Sequence, residues 1–437
     1  MIVKFRKAQN PVPAPNDVLE LPLLKGLEDG MALLHILDRL IRTGDLTLID
    51  WRGRRHRFGD GAGPSVTIRI RDRATAWRIA YDPHLALGEA YMDGGLVMEE
   101  GEIADLLDLI GRNMGTSFAA DPVSARFLRG WRRLMRRLQQ WNIRPRARRN
   151  VHAHYDLSGE LYGTFLDSDR QYSCAYFIHD DDSLERAQEQ KKRHIAAKLL
   201  IEPGMRVLDI GCGWGGMAIY LAKKLGARVV GITLSEEQAA YARDRVAREG
   251  LHDQVEIRLE DYRETQGVFD RIVSVGMFEH VGVGFYRRFF DRIRELLTED
   301  GVALLHTIAR ADGPGVTNPF IAKYIFPGGY IPAVSEFQPA IERAGLYLTD
   351  LEIWRLHYAK TLAHWRRRFK AAWDRMARLY DERFCRMWEF YLAGAEMAFR
   401  HGGHVVAQAQ MSPSVDTVPL TRDYITAFEQ RHPIAAN

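Results

Sequence analysis

Strand-like and helix-like segments alternate along the second half of this chain, and that alternation constrains the fold more than any other feature. Five short apolar runs are separated by stretches long enough for a helix, and they span residues 206–210, 228–233, 255–259, 270–275 and 302–308. Parallel strands need long crossover connections, usually helical, so the alternation predicts a parallel sheet with helices on both faces. Two further runs, 346–354 and 404–411, are expected to complete the sheet. The predicted fold class is α/β with a Rossmann-like sheet.

The pattern divides the 437-residue chain into three parts. Residues 1–120 mix short helical and strand-like runs and are expected to form a smaller N-terminal α+β domain. Residues 121–150 form a basic linker, and residues 151–437 contain the alternating pattern. Because the first part contains no recognisable catalytic constellation, the chemistry is expected in the third part.

The linker is basic and amphipathic. Apolar residues recur in it at three- and four-residue spacings, no acidic residue lies between Asp121 and Asp156, and ten arginines share one window: Arg126, Arg129, Arg132, Arg133, Arg136, Arg137, Arg144, Arg146, Arg148 and Arg149. A basic amphipathic helix is typical of segments that bind anionic lipid surfaces. Nucleic-acid phosphates are an alternative partner, and a solvated helix between two domains is a third interpretation. The residues leave all three open.

Cysteine content and hydropathy indicate the cellular location of the protein. The three cysteines, Cys174, Cys212 and Cys385, form no CxxC pair, so neither a disulfide framework nor a bound metal is expected. Residues 1–15 contain three prolines where a signal peptide would need an apolar core. No window of about 18 apolar residues could span a bilayer. We therefore expect a cytoplasmic protein.

The first chemical clue is the glycine-rich segment Asp209-Ile-Gly-Cys-Gly-Trp-Gly, between the first strand and the following helix. Glycines at this place let a ligand approach the backbone at the carboxyl edge of the sheet. A dinucleotide site has the spacing GxGxxG, whereas here the third glycine comes one residue earlier and Asp209 would repel a phosphate. An acidic side chain instead suits a cationic ligand without phosphate, such as S-adenosylmethionine. Together with Asp261 after the third strand, the pattern resembles the class I methyltransferases.

The second strand ends without the acidic residue that many class I methyltransferases use to hold the ribose hydroxyls. The sequence there is Thr233-Leu-Ser-Glu-Glu-Gln. The Thr233 hydroxyl and the Gln238 amide are candidates to replace that residue, and Glu236 or Glu237 are alternatives. Ser235 is expected to cap the next helix, with Gln238 completing a capping box.

Six segments in a fixed order carry a resemblance to a family. They read QYSCAYF at 171–177, MRVLDIGCGWGG at 205–216, GITLSEEQ at 231–238, SVGMFEHVG at 274–282, LHTI at 305–308 and HYAKTL at 357–362. In this order and spacing they closely resemble the cyclopropane-fatty-acyl-phospholipid synthases and their mycolic-acid relatives. The resemblance is strong over residues 151–411 and looser in the N-terminal part.

The resemblance implies transfer of a methylene group from S-adenosylmethionine to the cis double bond of unsaturated phospholipid acyl chains, which yields cyclopropane fatty acids. The alkene is a weak nucleophile, so the methyl group must be held in line with its π face. Methyl transfer leaves a carbocation on the acyl chain, and in this family a bound bicarbonate ion is understood to remove the proton before ring closure. Two alternatives stay open: a related lipid C-methyltransferase that gives a methyl-branched or methylenated chain, and a non-enzymatic lipid-surface binding protein.

The same resemblance implies two sets of site residues. The bicarbonate-binding set comprises the catalytic residues Cys174 (through its backbone), Glu279, His306 and Tyr358, together with the Ile308 backbone. Glu279 would accept the hydroxyl proton of bicarbonate, and His306 and Tyr358 would supply hydrogen-bond donors. The cofactor-binding set comprises Tyr172, Ser173, Asp209, Gly211, Gly213, Thr233, Leu234, Gln238, Asp261, Tyr262, Val275 and Gly276. Without the resemblance, Cys174 would be interpreted as a small buried residue, His306 as a hydrogen-bonded core residue and Tyr358 as a residue that packs in the core.

Two aromatic segments are expected on the lipid side. Residues 318–332 form a long apolar insertion, interpreted as a wall of an acyl tunnel or as core packing. Aromatic and methionine residues recur from Trp365 to Tyr391 at helical spacing, which is more typical of a core than of a ligand pocket. Candidates for contacts with headgroup phosphates lie on the opposite face: Arg366, Arg367, Arg368 and Lys370. We expect peripheral association with the inner face of the cell membrane, no nucleic-acid partner, and a homodimer that the family alone suggests.

Overall fold

The computed structural model describes residues 31–114 and 159–434. The predicted basic linker at 121–150 lies outside the described residues. The domain boundaries at 120 and 150 fall in the same segment, so they stay predictions.

A small four-stranded sheet forms the N-terminal part. Its strands are β1 Asp45–Ile49, β2 Arg55–Phe58, β3 Ser65–Ile70 and β4 Leu96–Glu100, in the order β2-β1-β3-β4. The helices described here are α1 Met31–Leu40, α2 Arg73–Tyr81, α3 Pro83–Met92 and α4 Ile103–Met114. The expected α+β character is confirmed, although the pattern does not predict β2, β4, α2 or α3. Local features mark the starts of the two missed helices. Asp72 caps α2 by accepting a hydrogen bond from the Thr75 N–H at 2.7 Å, and Pro83 is the first residue of α3.

The alternating region forms a seven-stranded sheet. Its strands are β5 Arg206–Ile210, β6 Arg228–Thr233, β7 Val255–Leu259, β8 Phe269–Val275, β9 Leu297–Arg310, β10 Tyr347–Trp354 and β11 His404–Ser412. The order along the sheet is β10-β11-β9-β8-β5-β6-β7, with β5 to β9 parallel and β11 antiparallel to both of its neighbours. The predicted parallel sheet is confirmed for β5 to β9. The pattern does not reveal the reversal of β11, because an apolar run looks the same in either strand direction.

The described helices of this part are α5 Gly159–Phe165, α6 Leu184–Lys198, α7 Gly216–Leu225, α8 Glu236–Arg248, α9 Tyr286–Leu296, α10 Val334–Arg343, α11 His357–Ala371, α12 Trp373–Leu379, α13 Glu382–Arg400 and α14 Asp423–Arg431. One face of the sheet is buried under α6, α7, α8 and α14, and the other under α9 and α10. Alternate strand residues enter the two cores, with Val207 in one and Leu208 in the other. The sheet is therefore covered on both faces, as predicted.

A third hydrophobic cluster lies beside the sheet and contains the aromatic stripe of α11 and α13. Trp365, Phe369 and Tyr391 are buried in it, which confirms the core interpretation of the stripe. The N-terminal helices α3 and α4 pack against α13, and Ala393 of α13 is part of the N-terminal core. The two sheets are thus joined through α13.

The basic face of α11 binds acidic side chains of the protein itself. Glu102 of the N-terminal part contacts Arg366 at 3.1 Å and Lys370 at 2.5 Å, and Glu185 contacts Arg368 at 2.7 Å. Each of these three cations is already paired within the fold, so their contact with headgroup phosphates stays a prediction.

No described helix is long and apolar enough to cross a membrane. Within residues 31–114 and 159–434, no group of three or more His, Cys, Asp or Glu side chains is arranged to hold a metal ion. The three cysteines are free thiols, and all are buried.

Candidate active site

The glycine turn after β5 forms the floor of a cleft at the carboxyl edge of the sheet. Gly211 and Gly213 have φ angles of 83° and 54°, a region that side-chain-bearing residues rarely adopt. A Cβ atom on Gly211 would lie 2.8 Å from the Met277 Cβ atom, so this position also requires glycine for space. The backbone N–H groups of Gly211 and Cys212 both donate to the Ile232 carbonyl at 2.9 Å, which ties the turn to β6. The turn is therefore a shaped surface that a ligand can approach closely.

The cleft has a volume of about 1330 Å³, including the part open to solvent. Every residue of the predicted cofactor-binding set lines it: Tyr172, Ser173, Asp209, Gly211, Gly213, Thr233, Leu234, Gln238, Asp261, Tyr262, Val275 and Gly276. Residues from the ends of the four neighbouring strands β8, β5, β6 and β7 and from the 170–173 segment meet there, because the carboxyl ends of parallel strands share one edge of the sheet.

Asp209 places a buried carboxylate beside the turn. Its Oδ2 atom has no hydrogen-bond partner among the described residues, and burial raises the pKa of Asp209 to about 7. Leaving a buried polar group unpaired costs folding free energy. The arrangement suits a ligand with a cationic group, which would favour the ionised carboxylate, and it does not suit a phosphate.

The end of β6 is held by a small hydrogen-bond network. The Thr233 hydroxyl donates to Gln238 Oε1 at 2.9 Å and accepts from the Ser235 N–H at 3.2 Å. Ser235 caps α8 as expected, accepting from the Gln238 N–H at 3.3 Å. The predicted capping box is wrong in its second half, because the Gln238 side chain binds Thr233 and the Ser235 N–H goes to the same hydroxyl. Glu237 accepts from the Gly159 N–H at 2.8 Å and is not part of the cleft wall.

Asp261 lies two residues beyond β7 and forms an ion pair inside the cleft. Its Oδ1 atom accepts hydrogen bonds from the Arg263 backbone N–H at 3.0 Å and from Arg263 Nε at 2.8 Å. Both side chains line the cleft. The sequence analysis singles out Asp261 but not its arginine partner.

Helix α6 holds the 170–174 segment from behind. Lys191 Nζ donates to Gln171 Oε1 at 2.6 Å and to Ser173 Oγ at 2.8 Å, and Gln188 Nε2 donates to the Ser173 carbonyl at 3.0 Å. Lys191 is fully buried, and burial lowers its pKa to about 7. The sequence pattern does not indicate Lys191 and Gln188, because a run of polar residues on a helix is normally a solvated face.

Glu279 lies on the short 3₁₀ turn Phe278–His280 that follows β8. Its Oε1 atom accepts a hydrogen bond from the Ile308 N–H at 2.6 Å. Its Oε2 atom is buried and has no hydrogen-bond partner within the described part of the chain. Burial raises the pKa of Glu279, although the Ile308 N–H opposes the shift. The Ile308 N–H, which was expected to donate to bicarbonate, therefore donates to Glu279 instead.

His306 lies in β9 with its ring against Trp354, edge to face, at a centroid separation of 5.1 Å. Its Nδ1 atom lies 3.1 Å from Gln408 Nε2. Burial holds the pKa of His306 well below its usual value, and the Lys191 and Lys198 charges add to that effect. The ring is therefore neutral.

Cys174 and Tyr358 are buried in the aromatic cluster. The Cys174 thiol donates to the Ala175 carbonyl at 3.3 Å, and burial raises its pKa, which disfavours a nucleophilic thiolate. Tyr358 is the second residue of α11 and packs against Trp365 and Phe399 at centroid separations of 5.7 and 4.8 Å.

The predicted bicarbonate-binding residues lie outside the wall of the cofactor cleft, in two groups. Glu279 is bonded to Ile308, and His306 is two residues away on the same strand. Cys174 and Tyr358 share a hydrophobic cluster with Trp354, which contacts His306. The two regions adjoin, since the Gly276 N–H of the cleft donates to the His306 carbonyl at 2.9 Å.

Several cleft residues are absent from the sequence-based set: Arg170, Trp214, Met277, His280 and Phe285. Arg170 lies over the Trp214 ring at 5.1 Å. Trp214 lies inside the glycine motif and His280 follows Glu279, so their places in these motifs could have indicated that they line the cleft. Arg170 and Phe285 have no such signal, because loops bring them to the cleft.

Comparisons with known proteins identify the family of this chain. The family model "Mycolic acid cyclopropane synthetase" matches residues 143–409, and a model for a domain of unknown function matches residues 41–121. The cyclopropane-fatty-acyl-phospholipid synthase of Escherichia coli K12 is 40% identical over 341 residues, covering 78% of this chain and 86% of that protein. A probable fatty acid methyltransferase of Pseudomonas putida is 37% identical, covering 80% of this chain and 88% of that protein.

Solved structures support the same assignment. The cyclopropane synthase MmaA2 from Mycobacterium tuberculosis is 34% identical with a TM-score of 0.58, covering 60% of this chain and 97% of its own. The mycolic acid cyclopropane synthase CmaA1, solved with SAH and CTAB, is 36% identical with the same TM-score and coverage. The chain therefore belongs to the mycolic acid cyclopropane synthetase family of class I S-adenosylmethionine-dependent methyltransferases.

Proposed function

We propose that this enzyme transfers a methylene unit from S-adenosylmethionine to the cis double bond of unsaturated phospholipid acyl chains and forms cyclopropane fatty acids. The observation that carries the proposal is the buried Glu279 carboxylate, which keeps one oxygen unpartnered directly behind a cleft suited to a cationic cofactor. The name of the Escherichia coli relative supports the phospholipid substrate.

The cleft residues would hold the cofactor. When bound, S-adenosylmethionine supplies an electrophilic methyl group. Asp209 offers its unpartnered carboxylate to a positive charge, the glycine turn allows close approach, and Thr233 with Gln238 presents a preformed polar pair at the end of β6. Lys191 and Gln188 keep the 171–173 wall in place.

The second set of residues would hold a bicarbonate ion. Adding one carbon to an alkene and closing a ring releases one proton from the added carbon, and a bicarbonate ion at this place would supply the base. The Glu279 Oε2 atom can accept the hydroxyl proton of that ion, while His306, Tyr358 and the Cys174 backbone donate to its other oxygens. The Ile308 N–H contributes by fixing the orientation of Glu279.

The insertion at 318–332 would line the acyl chain. Phe320 and Phe326 pack against Phe390 and Tyr391 of α13, and Gly328 reaches the cofactor cleft. This placement brings an apolar segment to the edge of the reaction region. Phe320 and Ile325 are also buried in the aromatic cluster, so the tunnel-wall and core-packing interpretations both stay open.

A second product class is the main alternative. The tuberculostearic acid methyltransferase UfaA1 of Mycobacterium tuberculosis is 36% identical over 78% of this chain. Loss of a different proton from the same acyl cation would give a methylenated chain, and a saturated methyl-branched chain would also require a hydride from an added reductant. A lipid-surface binding protein without activity is the non-enzymatic alternative.

The test uses the full chain, vesicles of defined unsaturated phospholipids and S-adenosylmethionine labelled in its methyl group. Cyclopropane formation predicts a mass gain of one methylene and ring protons in the proton NMR spectrum of the lipid. A methylenated product has the same mass as the cyclopropane product but has olefinic protons. A saturated methyl-branched product is two hydrogens heavier and is expected only when a hydride donor is added to the assay. Absence of label in the lipid would contradict the enzymatic proposal.

We also propose a cytoplasmic location with peripheral binding to the inner face of the cell membrane, since the substrate lies in a bilayer. The basic segment 121–150 is the candidate for that contact. A homodimer, without a nucleic-acid partner, stays part of the proposal on the family resemblance alone.

A further inference from the structure

Gln408 is placed beside His306 by the register of the sheet. The two residues are direct partners across the antiparallel β9–β11 pair, so their side chains share one face. Both are buried, and Gln408 Nε2 lies 3.1 Å from His306 Nδ1. This contact joins strands about a hundred residues apart in the chain, and the sequence analysis does not include Gln408.

The chemistry of the two groups determines which histidine nitrogen carries the proton. In the amide orientation of this structure, the Gln408 nitrogen faces the ring, and an amide nitrogen donates hydrogen bonds and accepts none, so Nδ1 is the acceptor. The Gln408 Oε1 atom is buried and has no hydrogen-bond partner among the described residues. In a neutral imidazole the proton then lies on Nε2. Burial and the nearby Lys191 and Lys198 charges lower the pKa of His306, which favours the neutral ring.

The carboxylate of Glu352 does not compete for His306 Nδ1, because it binds other residues. Glu352, the next residue in register beyond Gln408, contacts His194 Nε2 at 2.9 Å and also binds Lys198. Trp354 holds the plane of the His306 ring from the side. Gln408 is therefore the group that faces Nδ1 in this structure.

We propose that Gln408 is a positioning residue that fixes His306 in its Nε2–H form, so that the ring donates a hydrogen bond to the anion. This inference rests on the proposed function. The opposite form would turn an unprotonated nitrogen toward an anion, which would repel the anion and compete with it for the proton. Gln408 would act like the residues that orient metal-binding histidines, whose mutation lowers metal affinity or activity about 10- to 100-fold.

The test measures the ring directly in the full-length protein labelled with ¹⁵N-histidine. Long-range proton–nitrogen spectra distinguish a protonated ring nitrogen from an unprotonated one, and His306→Asn identifies the signals. We expect Nε2–H in the unmodified protein. In Gln408→Glu the carboxylate accepts from Nδ1–H, so we expect the proton to move to Nδ1 or the ring to become doubly protonated. An Nδ1–H form in the unmodified protein would overturn the inference.

Activity supplies the second readout. We expect Gln408→Leu to lower kcat about 10- to 100-fold and to raise the bicarbonate concentration needed for half-maximal rate. Gln410→Leu is the matched control, because Gln410 is buried two residues further on β11 and donates to the Lys198 carbonyl and the Tyr424 hydroxyl. The control should keep the His306 signals unchanged. Unchanged signals and rate in Gln408→Leu would contradict the inference, whereas an Nε2–H ring in a protein that modifies no lipid would contradict the proposed function instead.

Discussion

The Glu279 side chain and the Ile308 backbone are joined by a 2.6 Å hydrogen bond that connects the turn after β8 to β9. The bond fixes one carboxylate oxygen and leaves the other buried without a partner among the described residues. A carboxylate held in this way is preorganised to accept a proton or a hydrogen bond from a bound group.

Glu279→Gln should abolish cyclopropane formation, with a loss of at least about 100-fold in kcat. Glutamine keeps the size and the oxygen that binds Ile308 but loses the negative charge and the proton acceptor. Calorimetry should show nearly unchanged S-adenosylmethionine binding. Glu295→Gln, at an exposed position, is the control, and full turnover in Glu279→Gln would count against the proposed role.

Asp209 should make cofactor binding pH-dependent. Burial raises its pKa to about 7 in the free protein, and a cationic ligand favours the ionised form. Affinity for S-adenosylmethionine should therefore rise with pH up to about 7, by as much as tenfold per unit, because binding releases a proton. Titration calorimetry from pH 5.5 to 8.5 measures it. Asp209→Asn should remove this pH dependence of the affinity, whereas Asp253→Asn, at an exposed position, should keep it. The same pH dependence in the unmodified protein and in both variants would refute the prediction.

Gly88→Ala should destabilise the contact between the N-terminal part and α13. A Cβ atom on Gly88 would lie 2.4 Å from the Phe320 ring and 2.8 Å from the Phe390 ring, and such overpacking costs about 1–3 kcal/mol. Gly394→Ala on α13 meets nothing within 4 Å and should be neutral or stabilising by up to about 1 kcal/mol. Denaturant unfolding of both variants checks the sign of each effect. Equal stabilities would show that the rings adjust freely.

His194 should stabilise the packing of α14 in a pH-dependent way. Its two ring nitrogens each lie 2.9 Å from a carboxylate oxygen, of Glu352 and of Glu429. Burial opposes protonation, but these hydrogen bonds raise the pKa of His194 above its usual value. The stabilisation is complete below the unfolded pKa of about 6.5 and is lost as pH rises through the folded pKa.

Thermal unfolding of His194→Gln and the unmodified protein between pH 5.5 and 9 measures this contribution. The difference in Tm should be largest at the acidic end and shrink as pH rises. Exposed His252→Gln should show no such trend. A difference that grows with pH would have the wrong sign for the ion pairs described.

Replacing Arg132, Arg133, Arg136 and Arg137 by glutamine should weaken binding to anionic vesicles, and the difference should shrink at high salt. Sedimentation with vesicles at two ionic strengths measures it. Replacement of Arg39, Arg52, Arg55 and Arg73 in the N-terminal part changes the net charge equally and serves as control. Unchanged sedimentation of the first variant would remove the membrane role proposed for 121–150.

Much of the fold and of the cofactor cleft could be predicted from local sequence. The strands at 206–210, 228–233 and 255–259 agree with β5, β6 and β7, because short buried strands need continuous apolar runs. All twelve predicted cofactor residues line one cleft, since each lies on a motif at a strand end or on the adjoining 170–173 segment. The N-terminal strands were harder to predict, because β2 has the sequence Arg-His-Arg-Phe and little apolar signal.

The sequence by itself determined the order of strands and helices, the glycine turn and the residue types available at its edge, because those depend on spacing along the chain. Tertiary structure decided the rest. The pairing of Glu102 with Arg366 and Lys370, the bond from Ile308 to Glu279, and the contact of Gln408 with His306 all join residues far apart in the chain. Such contacts depend on strand register and helix packing, which are set by the burial of whole faces and leave no local pattern to read.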